Sequence, residues 1–245
     1  GYHYHLLEKV IKQCDIIFLC SPITVILDTI EFLSKIELPN DLIITDVGST
    51  KSIIVKQAKI TLPDHVHFVG GHPMAGSEKS GPTASDPYLF QNAIYVLAPL
   101  SEKETQRDEE FSTFLKQYLG CRTIFLNPDK HDLIAATVSH IPHLLAVALV
   151  NLAQHTEDKT PGTIKLAAGG FRDLTRIASA PFKMWHDIFL TNKEVIGPLL
   201  KQCITMLEKM QSDLVNDTLE NSINNASDTR RKIIAQNKGF ITPLH

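Results

Sequence analysis

The pattern of hydrophobic and polar positions changes character near the middle of the chain. Short apolar runs rich in β-branched residues occur only in the first half, where they predict strands. These runs are Asp15–Cys20, Leu42–Asp46, Val66–Val69, Ile94–Leu97 and Thr123–Leu126. Helical spacing lies between the first two runs, at Pro22–Ile36, and between the last two, at Glu102–Leu119. Strand–helix–strand alternation of this kind predicts a parallel sheet that is covered by helices.

The second half has helical periodicity and almost no strand signal. The predicted helices are Asp132–Ala153, Ile164–Ala168, Lys183–Leu190 and a long stretch from Lys193 to about Leu219. We therefore predict an α/β domain over residues 1–127 and an all-α domain over residues 128–245. The run Leu133–Val150 is apolar enough to suggest a membrane span, but it contains two histidines and a proline and lacks flanking anchors. We expect no membrane partner, and a helix that is buried at the centre of a bundle.

Composition narrows the class of protein. The 245 residues are 43% hydrophobic and 21% charged, which excludes a disordered chain. A formal net charge of −3 argues against nucleic acid as a partner. The cysteines at 14, 20, 121 and 203 form no closely spaced pair, so we predict buried free thiols in a reducing compartment, the cytoplasm.

A first candidate for ligand binding is the segment Asp46–Ser52 (DVGSTKS), which follows a predicted strand. It is not a P-loop, because position 43 is Ile and two residues separate Gly48 from Lys51. The segment can offer free N–H groups and a hydroxyl to a ligand at the carboxyl edge of the sheet. The alternative is that Ser49 or Thr50 simply caps the next helix.

A second candidate is His72, which stands between Gly70-Gly71 and Pro73 after a predicted strand. We expect a stiff turn there. Histidine titrates near neutrality, so His72 could take or give a proton where a hydroxyl becomes a carbonyl. The alternative is a structural histidine that is satisfied by the backbone.

Two further clusters lie in the second half. His140 and His143 are polar groups in an apolar segment, so each needs a partner or a ligand. A metal site that also used His131 would lack a suitably spaced carboxylate or cysteine, and we predict no metal site. Arg176 lies one helical turn after Arg172 and could bind a carboxylate, or form an ordinary surface pair with an acid.

Together these motifs resemble one known family. The chain resembles the prephenate/arogenate dehydrogenases over roughly residues 15 to 200. The resemblance lies in the order and spacing of DVGSTKS, GGHPMAGSEKSG, HDLIAATVSHIPH, GGFRDLTRIA and MWHDIFL. The resemblance implies NAD-dependent oxidative decarboxylation of prephenate to 4-hydroxyphenylpyruvate in tyrosine biosynthesis, with NADP and arogenate left open. It also implies a Rossmann-like nucleotide domain, a helical domain that forms a homodimer, and an active site between the two domains.

The resemblance assigns roles residue by residue. His72 would be the catalytic base, and Ser49 would orient His72 or the nicotinamide. Residues assigned to the substrate are His140, His143, Asp173, Arg176 and Trp185, of which Arg176 would clamp a carboxylate and Asp173 would position Arg176. Residues assigned to the cofactor are Ser21, Pro22, Asp46, Gly48 and Ser49.

One element of the family pattern is missing. None of the twelve glycines forms G-x-G-x-x-G, and the chain opens on an amphipathic stretch without a strand. We therefore expect the first strand–helix–strand unit to lie upstream of Gly1. Two other hypotheses stay open: a different β-hydroxyacid-type dehydrogenase, which a catalytic lysine on the main helix of the second domain would mark, and a non-catalytic dimerisation remnant.

Overall fold

A five-stranded sheet organises the first part of the chain. The computed structural model describes residues 4–76, 83 and 85–236. The strands are β1 (Ile16–Leu19), β2 (Ile43–Asp46), β3 (His67–Pro73), β4 (Ile94–Pro99) and β5 (Arg122–Phe125), and they lie in sequence order across the sheet. All five predicted strands are therefore present.

The sheet is mostly parallel, as predicted, with one antiparallel pair. Strands β1, β2 and β3 are parallel, β4 and β5 are parallel, and β3 pairs with β4 in the antiparallel sense. A parallel pair needs a long crossover, usually a helix, whereas an antiparallel pair does not. The described residues between β3 and β4 contain no α-helix, so the chain returns alongside β3 in the opposite direction.

Helices cover both faces of the sheet. They are α1 (Tyr4–Ile11), α2 (Ile23–Leu33), α3 (Ser52–Thr61) and α4 (Gln106–Leu119). In α2 the buried positions Ile23, Ile26, Ile30 and Leu33 recur every three or four residues, as one helix face requires. They pack with α3 on one face of the sheet, while Phe111 and Leu115 of α4 pack on the other. Helix α4 begins four residues later than predicted, because Thr105 and Asp108 form a capping box at its start.

Strand β3 is longer than predicted, and this changes the setting of His72. It runs to Pro73, with Gly71 opposite Leu97 and His72 opposite Val96 of β4, so His72 lies in extended strand and not on a turn. A Cβ atom on Gly71 would come within 2.4 Å of the Asp46 carbonyl oxygen. Glycine at this position therefore allows β2 and β3 to approach each other closely.

The rest of the chain is helical, as predicted, with different boundaries. Helix α5 (Pro128–Ala135) continues through a π-helical turn (Ala136–His140) into α6 (Ile141–Lys159). A 3₁₀ turn (Ile164–Leu166), α7 (Gly169–Thr175) and another 3₁₀ turn (Arg176–Ser179) follow. The two helices predicted on either side of residues 191–192 are one helix, α8 (Phe182–Val215), with non-helical dihedral angles at Asn192. Helix α9 (Glu220–Gln236) was not predicted.

The apolar helix is less buried than expected. The segment Pro128–Lys159 is long and apolar enough to cross a membrane by length and composition, and only 33% of its most apolar window is buried within this chain. Val138, Leu149, Val150 and Leu152 are exposed. Within the described residues this helix is therefore at the edge of the fold, which corrects the prediction of a bundle centre.

Two compact units divide the chain, Gly1–Ile196 and Gly197–His245. The first unit contains the sheet and the helices up to the start of α8; the second contains the end of α8 and α9. The boundary near residue 127 stays a prediction. The four cysteines are free as predicted, but only Cys121 is buried and Cys20 is exposed, which corrects the expectation of buried thiols.

Candidate active site

The predicted site residues of the first half gather at one edge of the sheet. Ser21 and Pro22 follow β1, Gly48 and Ser49 follow β2, and His72 is the last residue but one of β3. Because these three strands are parallel, their carboxyl ends lie side by side. This is the edge where open α/β sheets bind ligands.

A buried ion pair lies directly behind this edge. The Lys51 ammonium group contacts the Asp46 carboxylate, and neither side chain is exposed to solvent. Asp46 also accepts hydrogen bonds from Gly48 N at 2.8 Å and from Gly71 N at 3.1 Å. With both oxygens occupied inside the chain, Asp46 has a structural role, holding the glycines of β3 and of the β2–α3 turn. Its predicted contact with a cofactor stays a prediction.

The cap of α3 comes from a distant residue. Asp132, on α5, accepts hydrogen bonds from Lys51 N at 2.6 Å and Ser52 N at 2.9 Å. Asp132 thereby satisfies two of the N–H groups that every helix start leaves unpaired. Neither Ser49 nor Thr50 caps the helix, which corrects that interpretation, and the N–H groups of Lys51 and Ser52 are not free for a ligand. Ligand binding by Gly48 and the Ser49 hydroxyl stays a prediction.

A chain of three side chains leads from Asp132 to His72. Asp132 Oδ1 lies 2.8 Å from His131 Nδ1, and His131 Nε2 lies 2.8 Å from His72 Nδ1. His131 and Asp132 are each about 2% exposed. His72 is thus linked to a buried carboxylate through a second histidine.

The electrostatic setting keeps His72 neutral. Burial lowers the pKa of His72 well below its ordinary value, and the nearby Lys51 ammonium group and the His131 and His140 rings lower the pKa further. Near neutral pH the imidazole therefore has a lone pair that can accept a proton.

His140 is held by the kink in α8. It occupies the last position of the π-helical turn, a feature that is common at functional sites. Asn192 Nδ2 donates to the carbonyl oxygen of Asp132 at 3.0 Å and lies 3.3 Å from His140 Nδ1. An amide N–H next to Nδ1 makes Nδ1 the acceptor, so the neutral His140 ring carries its proton on Nε2. Burial lowers the pKa of His140 to about 4.

His143 and Trp185 form a stacked pair. Their ring centroids are 3.7 Å apart and the planes differ by 11°, and both side chains are buried. Within the described residues, His143 Nδ1 and Trp185 Nε1 have no hydrogen-bond partner. Burial lowers the pKa of His143, although a hydrogen bond with the Ile177 backbone acts in the opposite direction. Buried polar atoms without partners are rare in folded proteins and suit a polar ligand.

Two of the remaining predicted residues are exposed. Arg176 is exposed at the start of a 3₁₀ turn, and Asp173 is exposed on α7. Within the part of the chain that the structure describes, no hydrogen bond or ion pair of Asp173 is formed, so the predicted support of Arg176 by Asp173 is not seen. Ser49 is half-buried, and its hydroxyl has no partner among the described residues. The predicted contact of Ser49 with His72 is therefore also not formed. Residues Ser77–Gly81 of the GGHPMAGSEKSG motif lie outside the described residues.

Several residues of this site were not singled out from the sequence. They are Lys51, Asp132 and Asn192, whereas His131 was considered only as a possible metal ligand. For His131-Asp132 a signal exists, because two adjacent polar residues near the start of a long apolar helix need buried partners. Nothing in the local sequence marks Asn192 or Lys51, whose importance comes from partners far along the chain.

Comparison with known proteins identifies the relatives. The family model for the prephenate dehydrogenase nucleotide-binding domain matches residues 4–124, and that for the prephenate dehydrogenase dimerization domain matches residues 127–225. The chain is 37% identical over 238 residues, 96% of its length, to a prephenate dehydrogenase of Bacillus subtilis (strain 168). It is 44% identical over 190 residues, 77% of its length, to a prephenate dehydrogenase of Lactococcus lactis subsp. cremoris (strain MG1363).

A solved structure agrees with these relatives. The crystal structure of a prephenate dehydrogenase from A. aeolicus in complex with hydroxyphenyl propionate and NAD+ matches with a TM-score of 0.82 and 30% identity, over 96% of this chain and 80% of that one. The chain spans 64% of the length of the B. subtilis relative and 51% of the L. lactis relative. The two family models together cover most of the chain, which therefore belongs to the prephenate dehydrogenase family.

Proposed function

We propose that the protein carries out the NAD-dependent oxidative decarboxylation of prephenate to 4-hydroxyphenylpyruvate, a step of tyrosine biosynthesis. The observation that carries this proposal is the neutral His72 at the carboxyl edge of the sheet, next to the buried Lys51. A base at this place suits a reaction in which a ring hydroxyl loses its proton while the carbon that bears it is oxidised.

His72 performs the proton step in this scheme. Its neutral ring takes the proton of the substrate's ring hydroxyl, so that the oxygen can form a double bond to carbon as the hydride leaves. The nicotinamide, when bound, accepts that hydride. The ring carboxylate then departs as CO2, its bonding electrons make the ring aromatic, and the proton on His72 returns to the oxygen. Aromatisation supplies the driving force, and the protein supplies alignment and one proton acceptor.

The edge formed by β1 and β2 fits the nicotinamide end of the cofactor. Ser21, Pro22, Gly48 and Ser49 lie there, and the partner-free hydroxyl of Ser49 can donate to or accept from a polar group. The N–H groups of Lys51 and Ser52 are occupied by Asp132, and Thr24 N is occupied by Asp187. The pyrophosphate therefore has to be held outside these two helix starts.

Polar atoms of the helical half suit the substrate. Prephenate has two carboxylates and a keto group, so its pocket needs hydrogen-bond donors and a cation. His143 Nδ1 and Trp185 Nε1 are buried without partners in the described structure, and Trp185 Nε1 is always a donor. The neutral tautomer of His140 presents Nε2–H, and Arg176 has the planar fork that binds a carboxylate in two places. The hydroxyphenyl propionate in the A. aeolicus structure has the same ring and carboxylate as the product.

The apolar surface supports a homodimer through the helical part. Val138, Leu149, Val150 and Leu152 expose apolar side chains from one continuous helical segment, and exposed apolar side chains in this number suit a protein–protein interface. The second family model is described as a dimerization domain.

The free thiols suit a reducing compartment, and we place the protein in the cytoplasm.

Two measurements test the proposal. Steady-state assays with prephenate and with arogenate, each with NAD and NADP, should give the highest kcat/KM for prephenate with NAD. A clear preference for arogenate would assign the alternative substrate. The two substrates differ by a keto and an ammonium group, and a change of one side chain can switch the preference between them. Calorimetry of NAD binding to the protein decides a separate question, because absence of binding together with absence of turnover would support a non-catalytic remnant.

A further inference from the structure

We propose that His131 and Asp132 are positioning residues that fix the proton of neutral His72 on Nδ1, so that Nε2 is the atom that accepts the substrate's proton. This inference deepens the proposed function, because it specifies which atom of His72 acts as the base and what holds it in that state. Two consecutive contacts, from Asp132 through His131 to His72, fix this proton.

The first step is the charge on Asp132. Its two oxygens accept hydrogen bonds from Lys51 N and Ser52 N, and Oδ1 also faces His131 Nδ1. Burial alone would raise the pKa of Asp132, but the hydrogen bonds from His131, Lys51 and Ser52 outweigh burial and lower it. Asp132 is therefore a carboxylate, which only accepts hydrogen bonds.

The second step is the tautomer of His131. Because a carboxylate oxygen lies 2.8 Å from Nδ1, the proton of the neutral His131 ring is on Nδ1. A neutral imidazole has one donor nitrogen and one acceptor nitrogen. His131 Nε2 is therefore an acceptor, and it is buried with the rest of the ring.

The third step is the tautomer of His72. His131 Nε2 lies 2.8 Å from His72 Nδ1, and a hydrogen bond between two nitrogens needs one proton between them. Since His131 Nε2 is the acceptor, His72 Nδ1 is the donor and His72 Nε2 has the lone pair. The same contact also fixes the orientation of the His72 ring. In a Ser-His-Asp triad, a buried carboxylate orients the histidine through one nitrogen, and the other nitrogen acts as the base. The arrangement here is similar, with a second histidine inserted between the carboxylate and the base.

The alternative state of His131 makes the inference specific. If His131 were protonated, both of its nitrogens would donate and His72 Nδ1 would have to accept, which would move the proton of His72 to Nε2 and remove the base. The groups that face this pair are Lys51 at the start of α3, Asp132 on α5 and His140 in the π-helical turn. Among them Asp132 is the anion, and its contact fixes His131 Nδ1 as a donor, so that in the neutral ring Nε2 is the acceptor.

Two variants at position 131 separate acceptor chemistry from packing. In His131→Gln the side-chain amide oxygen can reach the place of Nε2 and accept from His72 Nδ1. In His131→Leu the volume is similar, but no acceptor remains. Near-ultraviolet circular dichroism establishes that both variants keep the packing of the wild-type protein before any other comparison is made.

The direct readout is the tautomer itself. Nitrogen-15 NMR of the histidine rings reports which nitrogen has the proton. The His72 signals are assigned by their absence in His72→Gln. We expect the His72 proton on Nδ1 in the wild type and in His131→Gln. His131→Leu should show the Nε2–H form or a mixture of both forms. A wild-type His72 with its proton on Nε2, or a His72 spectrum that is the same in all three proteins, would overturn the inference.

Turnover gives a second readout and separates the two proposals. With prephenate and NAD, His131→Leu should lose about 10²-fold in kcat, at the low end for a lost acid–base group, with KM within about threefold. His131→Gln should recover most of this loss, and equal losses in both variants would contradict the acceptor role. Absence of turnover in the wild type would refute the proposed dehydrogenase activity and leave the tautomer assignment to be decided by NMR alone.

Discussion

The carboxylate of Asp187 accepts two hydrogen bonds from Thr24, one from the backbone N–H at 3.1 Å and one from the hydroxyl at 2.9 Å. Thr24 lies in the first turn of α2, directly after the strand β1, whereas Asp187 lies 163 residues later on α8. Asp187 is thus the cap of α2, as Asp132 is the cap of α3. Two acidic residues of the helical half complete the helices that begin at the carboxyl edge of the sheet.

This relationship predicts a loss of stability in Asp187→Ala. Removal of a capping carboxylate leaves Thr24 N unpaired, and we expect the free energy of unfolding to fall by about 1–2 kcal/mol. Urea denaturation followed by circular dichroism measures the change. The matched control is Asp28→Ala, which removes an exposed carboxylate from the same helix and should change the free energy by less than about 0.5 kcal/mol. Equal effects of the two substitutions would argue against the capping role.

The buried pair of Lys51 and Asp46 predicts a larger effect. Lys51→Met leaves the Asp46 carboxylate without its cation, and breaking a buried pair in this way typically costs about 3–5 kcal/mol. The double variant Lys51→Met/Asp46→Asn removes both charges and should recover part of this loss. A single variant as stable as the wild type would show that Asp46 is sufficiently stabilised by Gly48 N and Gly71 N.

The same substitution predicts a change in pH dependence. The Lys51 ammonium group lowers the pKa of His72, so its removal should raise that pKa. A base is active in its unprotonated form, and its activity is lost as the pH falls through its pKa. The acid limb of kcat/KM should therefore move to higher pH in Lys51→Met. A limb that stays in place or moves to lower pH would contradict the electrostatic role of Lys51.

His72→Asn tests the base directly. Loss of a general base should reduce kcat by about 10²- to 10⁴-fold, because the substrate hydroxyl then has no acceptor for its proton. Steady-state assays with prephenate and NAD measure the change, and His155→Asn, a substitution of an exposed histidine on α6, should leave kcat unchanged. Turnover of His72→Asn within a factor of two of the wild type would refute the assignment.

Arg176→Ala tests the proposed carboxylate ligand. We expect KM for prephenate to rise with a smaller effect on kcat, since an interaction that is made in both the ground state and the transition state mainly affects binding. Arg176→Lys keeps the charge but loses the planar fork, so its KM should lie between the two. An unchanged KM in Arg176→Ala would show that another group binds the carboxylate.

The neutral, buried His140 predicts how stability depends on pH. The pKa of His140 is about 4 in the folded protein, whereas an unperturbed histidine titrates near 6.5. Between these values the unfolded chain binds more protons, so the free energy of unfolding falls as the pH decreases from about 6.5 toward 4, by up to about 3 kcal/mol from this group. Denaturation of His140→Asn at several pH values should give a flatter dependence over this window. A slope identical to that of the wild type would show that His140 does not contribute.

The amino-acid sequence by itself determined the five strands, the helical character of the second half and the family. Alternation and β-branched runs placed all five strands, because burial against a sheet requires that pattern locally. The order and spacing of DVGSTKS, GGHPMAG and the later motifs indicated the family. Local signals failed where a tertiary contact decides the boundary of an element. Strand β3 extends to Pro73 because its pairing with β4 continues there. At Asn192 one helix is kinked, where two separate helices were predicted.

The tertiary structure alone decided how the site is built. Asp132 accepts a hydrogen bond from Lys51 N, which lies 81 residues earlier in the chain. Asp187 accepts one from Thr24 N, which lies 163 residues earlier. Hydrophobic periodicity reports which side of an element is buried, and it contains no information about which distant polar group will meet another inside the fold. The linkage of His72 through His131 to Asp132 therefore exists only once the helical half packs against the sheet. The sequence supplied a histidine with suitable chemistry, and the fold decides which of its nitrogens is the base.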